Sequence, residues 1–281
     1  MLRKATVQDI PALAALRCQT TGTTPQEAAA WLQSVAGIEN ILVLQKDDAP
    51  AVMLAAVPVQ YYQHKGLWFC GFAAQKGLDG SAILPKLLAG CLRAYAASGI
   101  EFAVINPGDA KQAAQLQPLG FQGLLPLRVL QKAIPRNVVA QAVFDSLTVH
   151  KLLQRRSLYQ PGCVSLPEPA MTEVMTQLYR RGLTVVSSNR GYGLYYLQDG
   201  VVQCIELQAD NDYCADVLLQ AVREKTGAEK ARILLSENQT LYTGAGRRCA
   251  YGMIAFCAKP FPVTDMYFRV LLKASQPIVE K

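Results

Sequence analysis

The chain has 281 residues, of which 51% are hydrophobic and 17% are charged, and its formal net charge is +7. A chain of this length buries a sizeable core and favours two domains over one. No apolar run approaches the ~18 residues that a membrane-spanning helix needs, and Asp9, Pro11 and Arg17 interrupt any signal-peptide core. We therefore expect a cytoplasmic protein with no membrane partner.

The basic residues are scattered along the chain and are not interleaved with stacking aromatics, so we expect no nucleic-acid partner. The two short basic clusters, Lys151–Arg156 and Arg247–Arg248, are interpreted as solvated surface. The eight cysteines form no CxxC pair and lie mostly in apolar segments, which is typical of free thiols in a reducing compartment. Because His64 and His150 are the only histidines, we expect no metal site.

The first half of the chain predicts a strand, two helices, three meander strands, a helix and a buried strand, in that order. Thr24 is the expected N-cap of the second helix, with Pro25 at its first position and Glu27 closing a capping box. Strands are predicted at 2–5, Ile41–Gln45, Ala51–Tyr62, Leu67–Ala74, Phe102–Ile105 and Leu125–Leu130. Helices are predicted from about Asp9 to Cys18, after Thr24, at Ile83–Ser98 and at Ala110–Gln117.

The motif "AIPRN" (133–137) predicts a linker, so we expect one domain at 1–135 and a second at 136–281. Helices are predicted in the second half at Val138–Gln154, Met171–Arg181 and Cys214–Lys225. Strands are predicted at Leu183–Ser188, Gly193–Leu197, Val201–Gln208, Arg232–Ser236 and within 251–257 and 266–273. The order of meander strands, helix and buried strand repeats that of the first half, although the residues do not repeat.

Three stretches carry a family resemblance. "MLRKATVQDIPALAAL", "ENILVLQKDD" with the meander after it, and "GIEFAVINPGDAKQAAQLQPLGFQ" resemble the opening, centre and closing half of GNAT acetyltransferases. Within that family the likeness is to the tandem type related to the enhanced intracellular survival acetyltransferases. The resemblance implies an α/β (mixed α+β) fold, with a bent mixed sheet flanked by helices and splayed open for acetyl-CoA. A second GNAT-like unit without its own CoA site would follow.

The activity implied by the resemblance is acetyl-CoA-dependent transfer to the amine of a small molecule or peptide. The strand before the loop "QKGLDGSA" would present backbone groups to the thioester, and loop amides at the following helix N-terminus would hold the pyrophosphate. Lys76 would be the charge partner. The cofactor-binding residues would be Phe72, Ala73, Ala74, Lys76, Gly77, Gly80, Ser81, Ala82 and Asn106.

Two positions depart from the family pattern. Asp79 lies in or beside the phosphate loop, where its carboxylate would repel a pyrophosphate. Leu116 occupies the position of the usual tyrosine acid, so the catalytic residues are unassigned, and Ser81 or Tyr62 acting through water are candidates. These departures leave open a second hypothesis, in which the fold serves as a catalytically silent ligand-binding or interaction protein.

Two further groups of residues lie in the second half. A carboxylate group at a strand-to-helix passage would bind a cationic amine or a divalent ion, or would simply cap the helix through Asp210 or Asn211, which we favour. An aromatic group would line a substrate pocket or pack on the sheet, and we favour packing. The carboxylates are Glu206, Asp210, Asp212 and Asp216, and the aromatics are Tyr192, Tyr195, Tyr196, Tyr213 and Tyr242.

Overall fold

The computed structural model describes residues 1–136, 141–145 and 147–269. The strands are β1 (Leu2–Lys4), β2 (Ile41–Lys46), β3 (Ala49–Tyr61), β4 (His64–Ala74), β5 (Phe102–Ile105), β6 (Gln122–Ala133), β7 (Thr184–Ser188), β8 (Gly191–Gln198), β9 (Val201–Ala209), β10 (Lys230–Ser236) and β11 (Arg247–Phe256). The helices are α1 (Ile10–Thr21), α2 (Pro25–Ala30), α3 (Gly80–Ala96), α4 (Ala110–Leu116), α5 (Val149–Tyr159), α6 (Glu168–Arg180) and α7 (Asp212–Thr226). A π-helical turn, Trp31–Ala36, follows α2 directly.

The predicted order of the first half is confirmed, because its local start signals act as expected. The Thr24 hydroxyl accepts a hydrogen bond from the Glu27 amide at 3.3 Å, and the Glu27 carboxylate accepts one from the Thr24 amide at 3.0 Å. This capping box fixes the start of α2. The helix predicted from Ile83 starts earlier, at Gly80, because Asp79 caps it.

Two predictions in the second half need correction or lie partly outside the described residues. The helix expected at Val138–Gln154 starts instead at Val149, because Thr148 is its N-cap and accepts a hydrogen bond from the Lys151 amide at 3.3 Å. That expected range includes residues outside the described part of the chain. The final strand expected at 266–273 is described only to 269, where Tyr267 forms an isolated bridge with Cys163.

The described chain divides into two compact units that are discontinuous in sequence. The first contains Met1–Leu124, Val164–Val174 and Gly252–Val263, and the second contains Leu125–Cys163, Met175–Tyr251 and the segment from Thr264. The predicted boundary near residue 135 divides the chain once. Each compact unit instead contains segments from both sides of that boundary.

The first unit has strands in the order β1-β2-β3-β4-β5, followed by the second half of β11. Neighbours from β1 to β4 are antiparallel, and β4 and β5 are parallel because α3 connects them. Leu84, Leu88 and Leu116 pack on the apolar residues of these strands in one buried cluster. The mixed sheet with helices packed on it confirms the predicted fold class.

The second unit repeats this plan. Its strands lie in the order β6-β10-β9-β8-β7 after the first half of β11. Strands β7, β8 and β9 form an antiparallel meander, α7 follows, and β10 returns parallel to β9. The architectural repeat expected from the sequence is therefore confirmed.

Two further properties accompany the fold. All eight cysteines are free thiols. Within the described residues, no helix has the length and apolar character needed to cross a membrane.

Candidate functional site

Strands β4 and β5 part where the site was expected. Their parallel pairing runs from Gly66–Phe102 to Phe69–Ile105, where β5 ends, while β4 continues to Ala74. Leu67 and Phe69 are buried, whereas Cys70, Gly71 and Phe72 are partly exposed. The last residues of β4 therefore have β3 on one side and an edge that β5 does not cover on the other.

A bulge shapes the same part of β4. The register with β3 shifts between Met53 and Ala55, and Gly71 opposite this shift has φ +63°. A Cβ at Gly71 would lie 2.4 Å from Cη2 of Trp31. The Arg17 guanidinium stacks on that indole, 3.6 Å from its centroid. The only sign of this packing in the sequence is the glycine inside a strand, which usually indicates close approach of another group.

The backbone groups at the end of β4 alternate between its two edges. The Gln75 amide donates to the Ala51 carbonyl of β3 at 2.8 Å. Because successive residues of an antiparallel strand direct their backbone groups to opposite edges, Ala73 faces β3 and Ala74 faces the uncovered edge. Ala73 and Ala74 were both expected to offer backbone groups to the cofactor. Only Ala74 directs them to the uncovered edge.

Asp79 occupies the amides that were expected to hold a pyrophosphate. Its Oδ1 accepts hydrogen bonds from the Ser81 amide at 3.0 Å, the Ala82 amide at 3.2 Å and the Ser81 hydroxyl at 2.7 Å. The Gly80 amide donates to the Leu78 carbonyl at 3.0 Å, and the Ile83 amide to the Asp79 carbonyl at 3.1 Å. Every amide from Gly80 to Ile83 therefore has an acceptor within the chain.

The environment of Asp79 favours its charged form. The Ser81 hydroxyl and the Ala82 amide, together with the charge of Lys111, lower the pKa of this exposed carboxyl. The sequence carried the signal, because Asp followed by Gly-Ser-Ala is an ordinary N-cap pattern. The helix begins at Gly80, three residues before the predicted start at Ile83, so Asp79 is its N-cap.

The remaining loop residues lie around this cap. Gly77 has φ +93° with open space at its Cβ position, and Lys76 is exposed. A Cβ at Gly80 would lie 3.1 Å from the Phe72 ring, so Gly80 lets the start of α3 pack on β4. Asn106 directly follows β5, on the side of the uncovered edge where the resemblance expects it.

Neither candidate for the acid, Ser81 or Tyr62, is placed to donate a proton at this edge, and Leu116 holds the position of the usual tyrosine. Leu116 is fully buried in the core with Leu84 and Phe121. Tyr62 lies in the turn before β4, and an 11-residue strand separates it from Ala74 by roughly 35 Å. The Ser81 hydroxyl already donates to Asp79. Tyr62 is therefore excluded by position.

The corresponding place in the second unit is closed by a side chain. The pairing of β9 with β10 ends at Cys204–Ile233. Beyond it, the Gln239 side chain donates to the Leu207 carbonyl of β9 at 2.5 Å and accepts from the Ser236 amide of β10 at 3.3 Å. The side-chain amide of Gln239 therefore hydrogen-bonds to both strands, as a backbone peptide group would.

A buried ion pair lies beside that closure, and it corrects two interpretations. Arg156 is 2% exposed, so it is not the solvated surface residue that the basic cluster predicted. Glu206 is fully buried, so it is not one of the carboxylates that cap the helix. Glu206 accepts from Arg156 Nε at 3.1 Å, from Arg156 Nη2 and from the Tyr192 hydroxyl. Burial raises the pKa of Tyr192 well above its usual value, and the Glu206 charge raises it further.

The other carboxylates and tyrosines have structural partners. Asn211 caps α7 by accepting from the Cys214 amide at 3.0 Å, as favoured from the sequence. Asp210 pairs with Arg190, and Asp216 accepts from the Tyr242 hydroxyl at 2.6 Å. Tyr192, Tyr195 and Tyr242 are buried and Tyr196 is partly buried, whereas Tyr213 is exposed. Within the described residues, no group of three or more His, Cys, Asp or Glu side chains is placed to hold a metal.

Solved structures share this fold. A GCN5-related N-acetyltransferase from Anabaena variabilis matches with a TM-score of 0.71 and 12% identity, over 92% of this chain and 72% of that chain. Eis1 from Mycobacterium abscessus matches at 0.70 and 12%, over 92% and 74%. A tandem GNAT protein from the clavulanic acid biosynthesis pathway matches at 0.55 and 9%, over 93% and 100%. No protein-family model and no curated protein sequence matches the chain. The fold is that of tandem GNAT proteins.

Proposed function

We propose that the first unit binds acetyl-CoA and transfers the acetyl group to the amine of a small molecule or peptide. The observation that carries this proposal is the edge of β4 beyond Phe69, which β5 leaves uncovered in a fold shared with N-acetyltransferases. All eight cysteines are free, which suits the cytoplasm that we propose as its location.

The pantetheine and thioester part of the substrate fits this edge. Of the expected residues Phe72, Ala73 and Ala74, we assign the backbone contact to Ala74, which directs its backbone groups outward, while Phe72 and Ala73 precede it in β4. A fixed amide N–H there would polarise the thioester carbonyl and stabilise the oxyanion that forms on it. Asn106 would contact the opposite flank.

The diphosphate part fits only after one rearrangement. Asp79 must leave the Ser81 and Ala82 amides before a phosphate can accept from them. Asp79 is exposed, so its side chain can rotate into solvent without disturbing the core. This rotation frees the Ser81 amide and leaves the Ala82 amide with only its 3.2 Å bond to the Asp79 carbonyl. The helix start would then offer the Ser81 and Ala82 amides, with Lys76, Gly77 and Gly80 beside them. The Gly80 amide stays on the Leu78 carbonyl.

In the proposed reaction the unprotonated amine attacks the thioester carbonyl directly. A carbon–nitrogen bond forms, the carbon–sulfur bond breaks, and the CoA sulfur leaves as a thiolate. The ammonium proton of the adduct passes to water or to the thiolate, since no side chain is assigned to this step. Orientation at the β4 edge would supply most of the rate increase.

The second candidate is a catalytically silent ligand-binding or interaction protein of the same fold. The capped amides at Asp79 and the buried Leu116 favour it. In that case the β4 edge would take a ligand without a diphosphate. The second unit, whose gap Gln239 spans, is proposed to bind no CoA in either case.

Calorimetry with acetyl-CoA tests the proposal through Asp79→Asn. Asparagine is also a good N-cap, so the variant keeps α3 while removing the charge that opposes a phosphate. We expect wild-type binding, and binding about threefold to tenfold tighter in the variant at low salt. The difference should shrink as salt is added, because screening acts on the carboxylate–phosphate repulsion.

Asp199→Asn provides the matched control, since this exposed aspartate lies in the β8–β9 turn of the second unit. It should leave acetyl-CoA affinity unchanged. If neither wild type nor Asp79→Asn binds acetyl-CoA, the silent candidate stands. If both bind, thiol release with a panel of amines then separates transfer from binding alone.

A further inference from the structure

The second unit has its own gap between two parallel strands. The pairing of β9 with β10 ends at Cys204–Ile233, although both strands continue beyond these residues. Continued in the same register, the pairing would place Leu207 opposite Ser236. These two residues are joined instead through the Gln239 side chain, which bonds to the Leu207 carbonyl and to the Ser236 amide. One carboxamide group is therefore interposed between the strands.

The groups that line this gap match a carboxamide. Gln239 Nε2 donates to the Leu207 carbonyl at 2.5 Å and to Gln208 Oε1 at 3.0 Å. Gln239 Oε1 accepts from the Ser236 amide at 3.3 Å, so both N–H groups and the oxygen of the carboxamide are used. A carboxylate has no donor, and a hydrocarbon has neither donor nor acceptor. All four residues are buried, so an occupant that left these partners unpaired would be costly.

Arg128 holds the loop that carries Gln239. From β6, its guanidinium donates four hydrogen bonds to backbone carbonyls of the loop between β10 and β11. Hydrogen bonds from a charged donor are stronger than those between neutral groups, and one of the four acceptors is the carbonyl of Gln239 itself. The loop is therefore anchored at the residue that fills the gap. The acceptors are the carbonyls of Gln239 at 2.6 Å, Leu241 at 2.8 Å, and Tyr242 and Ala245 at 2.9 Å.

The Gln239 side chain itself defines the space in this gap. Beyond Cβ it consists of Cγ, Cδ, Oε1 and Nε2, which are the heavy atoms of acetamide. Shortening the residue to alanine would leave an enclosed space of that shape, lined by three hydrogen-bonding groups that have lost their partner. Such a deletion is destabilising, since it combines a cavity with buried unpaired groups. Free acetamide would restore the same three hydrogen bonds.

We propose that the gap between β9 and β10 is a binding site for a small primary carboxamide, which the chain fills with its own Gln239. Arg128 is the positioning residue that keeps this occupant in place. While Gln239 is held there, no other ligand enters between the two strands. The site is separate from the β4 edge of the first unit and does not depend on CoA binding or transfer there.

Gln239→Ala with acetamide tests the site. We expect the thermal midpoint of this variant, followed by circular dichroism, to lie about 5 °C below that of wild type. It should rise with the logarithm of acetamide concentration, as for any ligand that binds the folded state. The wild-type midpoint should not rise, because its site is already filled. If the variant does not fold alone, the yield of soluble protein on refolding with and without acetamide gives the same comparison.

Two matched controls separate a carboxamide site from a general solvent effect. Acetate has the shape of acetamide but no N–H donor, so it should not stabilise Gln239→Ala beyond chloride at the same ionic strength. Gln239→Met fills the space with a side chain of similar length that lacks the carboxamide. Acetamide should therefore leave the midpoint of Gln239→Met unchanged.

Arg128→Met tests the positioning role through amide hydrogen exchange measured by NMR. Without the guanidinium the loop is released, so the Ser236 amide should lose its bond to Gln239 and exchange about tenfold faster. Ala231 is the internal control, because it lies in β10 between β6 and β9. Its amide should exchange as in wild type.

Three results overturn the proposal. The first is a Gln239→Ala midpoint or refolding yield that does not depend on acetamide. The second is equal stabilisation by acetate, or of Gln239→Met or wild type by acetamide, which would place the effect outside this gap. The third is equal acceleration of exchange at Ser236 and Ala231 in Arg128→Met, which would show that Arg128 supports the whole unit and does not position Gln239.

Discussion

Single capping residues decide which helix N-termini can meet a ligand. Asp79 accepts from the Ser81 and Ala82 amides at the start of α3, and Asn211 accepts from the Cys214 amide at the start of α7. The two positions are equivalent in the repeated plan of the units. Only Asp79 adds a negative charge, so only there does the cap also oppose a phosphate.

Asp9 gives a pH dependence that can be traced to one carboxyl. Its Oδ2 accepts from Arg3 Nη1 and from the Thr6 amide, both at 2.7 Å, and its Oδ1 accepts from Arg3 Nη2 at 2.7 Å. The Arg3 guanidinium, followed by the Thr6 groups, holds the pKa of Asp9 well below its usual range, although burial opposes the shift. The folded state therefore binds this proton less readily than the unfolded chain.

The sign of the effect follows from that shift. The stabilisation by Asp9 is complete above the pKa of the unfolded carboxyl, about 3.9, and is lost as pH falls towards the lower folded value. Asp9→Asn should cost about 2 kcal/mol in the free energy of unfolding at pH 7. Its cost at pH 3 should be smaller by about 1 kcal/mol, as measured by urea unfolding.

The partner residue supplies the control for Asp9. In an Arg3→Met background the pH dependence of the Asp9→Asn cost should shrink, because the guanidinium is the largest cause of the shift. Equal costs at pH 7 and pH 3 would contradict the assignment.

The packing of the π-helical turn on β4 is the element that shapes the candidate site. Gly71→Ala places a Cβ 2.4 Å from Trp31 Cη2 at a residue with φ +63°, so it combines backbone strain with a steric clash. Gly22→Ala has nearly the same φ, +65°, and nothing within 4 Å of the new Cβ. We expect a loss of about 1 kcal/mol for Gly22→Ala and about 3 kcal/mol for Gly71→Ala, measured by urea unfolding.

The comparison isolates the contact with Trp31. If the two alanine variants lose the same stability, the indole does not constrain β4 at this bulge. If Gly71→Ala loses more, its acetyl-CoA affinity should also fall, because β4 must shift to relieve the clash at the proposed thioester position.

Local signals predicted the elements, and contacts between distant residues remained hidden. The capping box at Thr24 and the boundaries of β5 were correct because neighbouring residues determine them. The Arg156–Glu206 pair joins residues 50 positions apart, and the Gln239–Leu207 bond spans 32 positions. No periodicity indicates that a basic cluster will bury one member or that a loop glutamine will join two strands. Asp79 differs, since its cap was readable from four consecutive residues.

At the scale of the whole chain, strand β11 contributes to both units. Its first residues belong to the second unit, and the segment from Gly252 belongs to the first. Met253–Phe256 pair antiparallel with Ile105–Phe102 of β5, and Met253 and Ala255 lie in the same buried cluster as Leu88. The core of the first unit is therefore incomplete without residues from the end of the described chain.

A fragment of residues 1–135 tests this dependence. It leaves β5 as an unpaired hydrophobic edge and removes Met253 and Ala255 from the core, so we expect it to aggregate or to lack a cooperative thermal transition. Joining residues 247–263 to its C-terminus through a flexible linker should restore a cooperative transition, because the added strand covers β5. Circular dichroism during heating measures both.

The matched control is the same fusion carrying Met253→Asp and Ala255→Asp, which keeps the length and the linker but places two carboxylates in the core. It should behave as the fragment does, because unpaired buried charges prevent the strand from docking. A fragment 1–135 that unfolds cooperatively at the same temperature as the fusion would show that β5 needs no partner on that side. The first half of the chain would then fold as an independent domain.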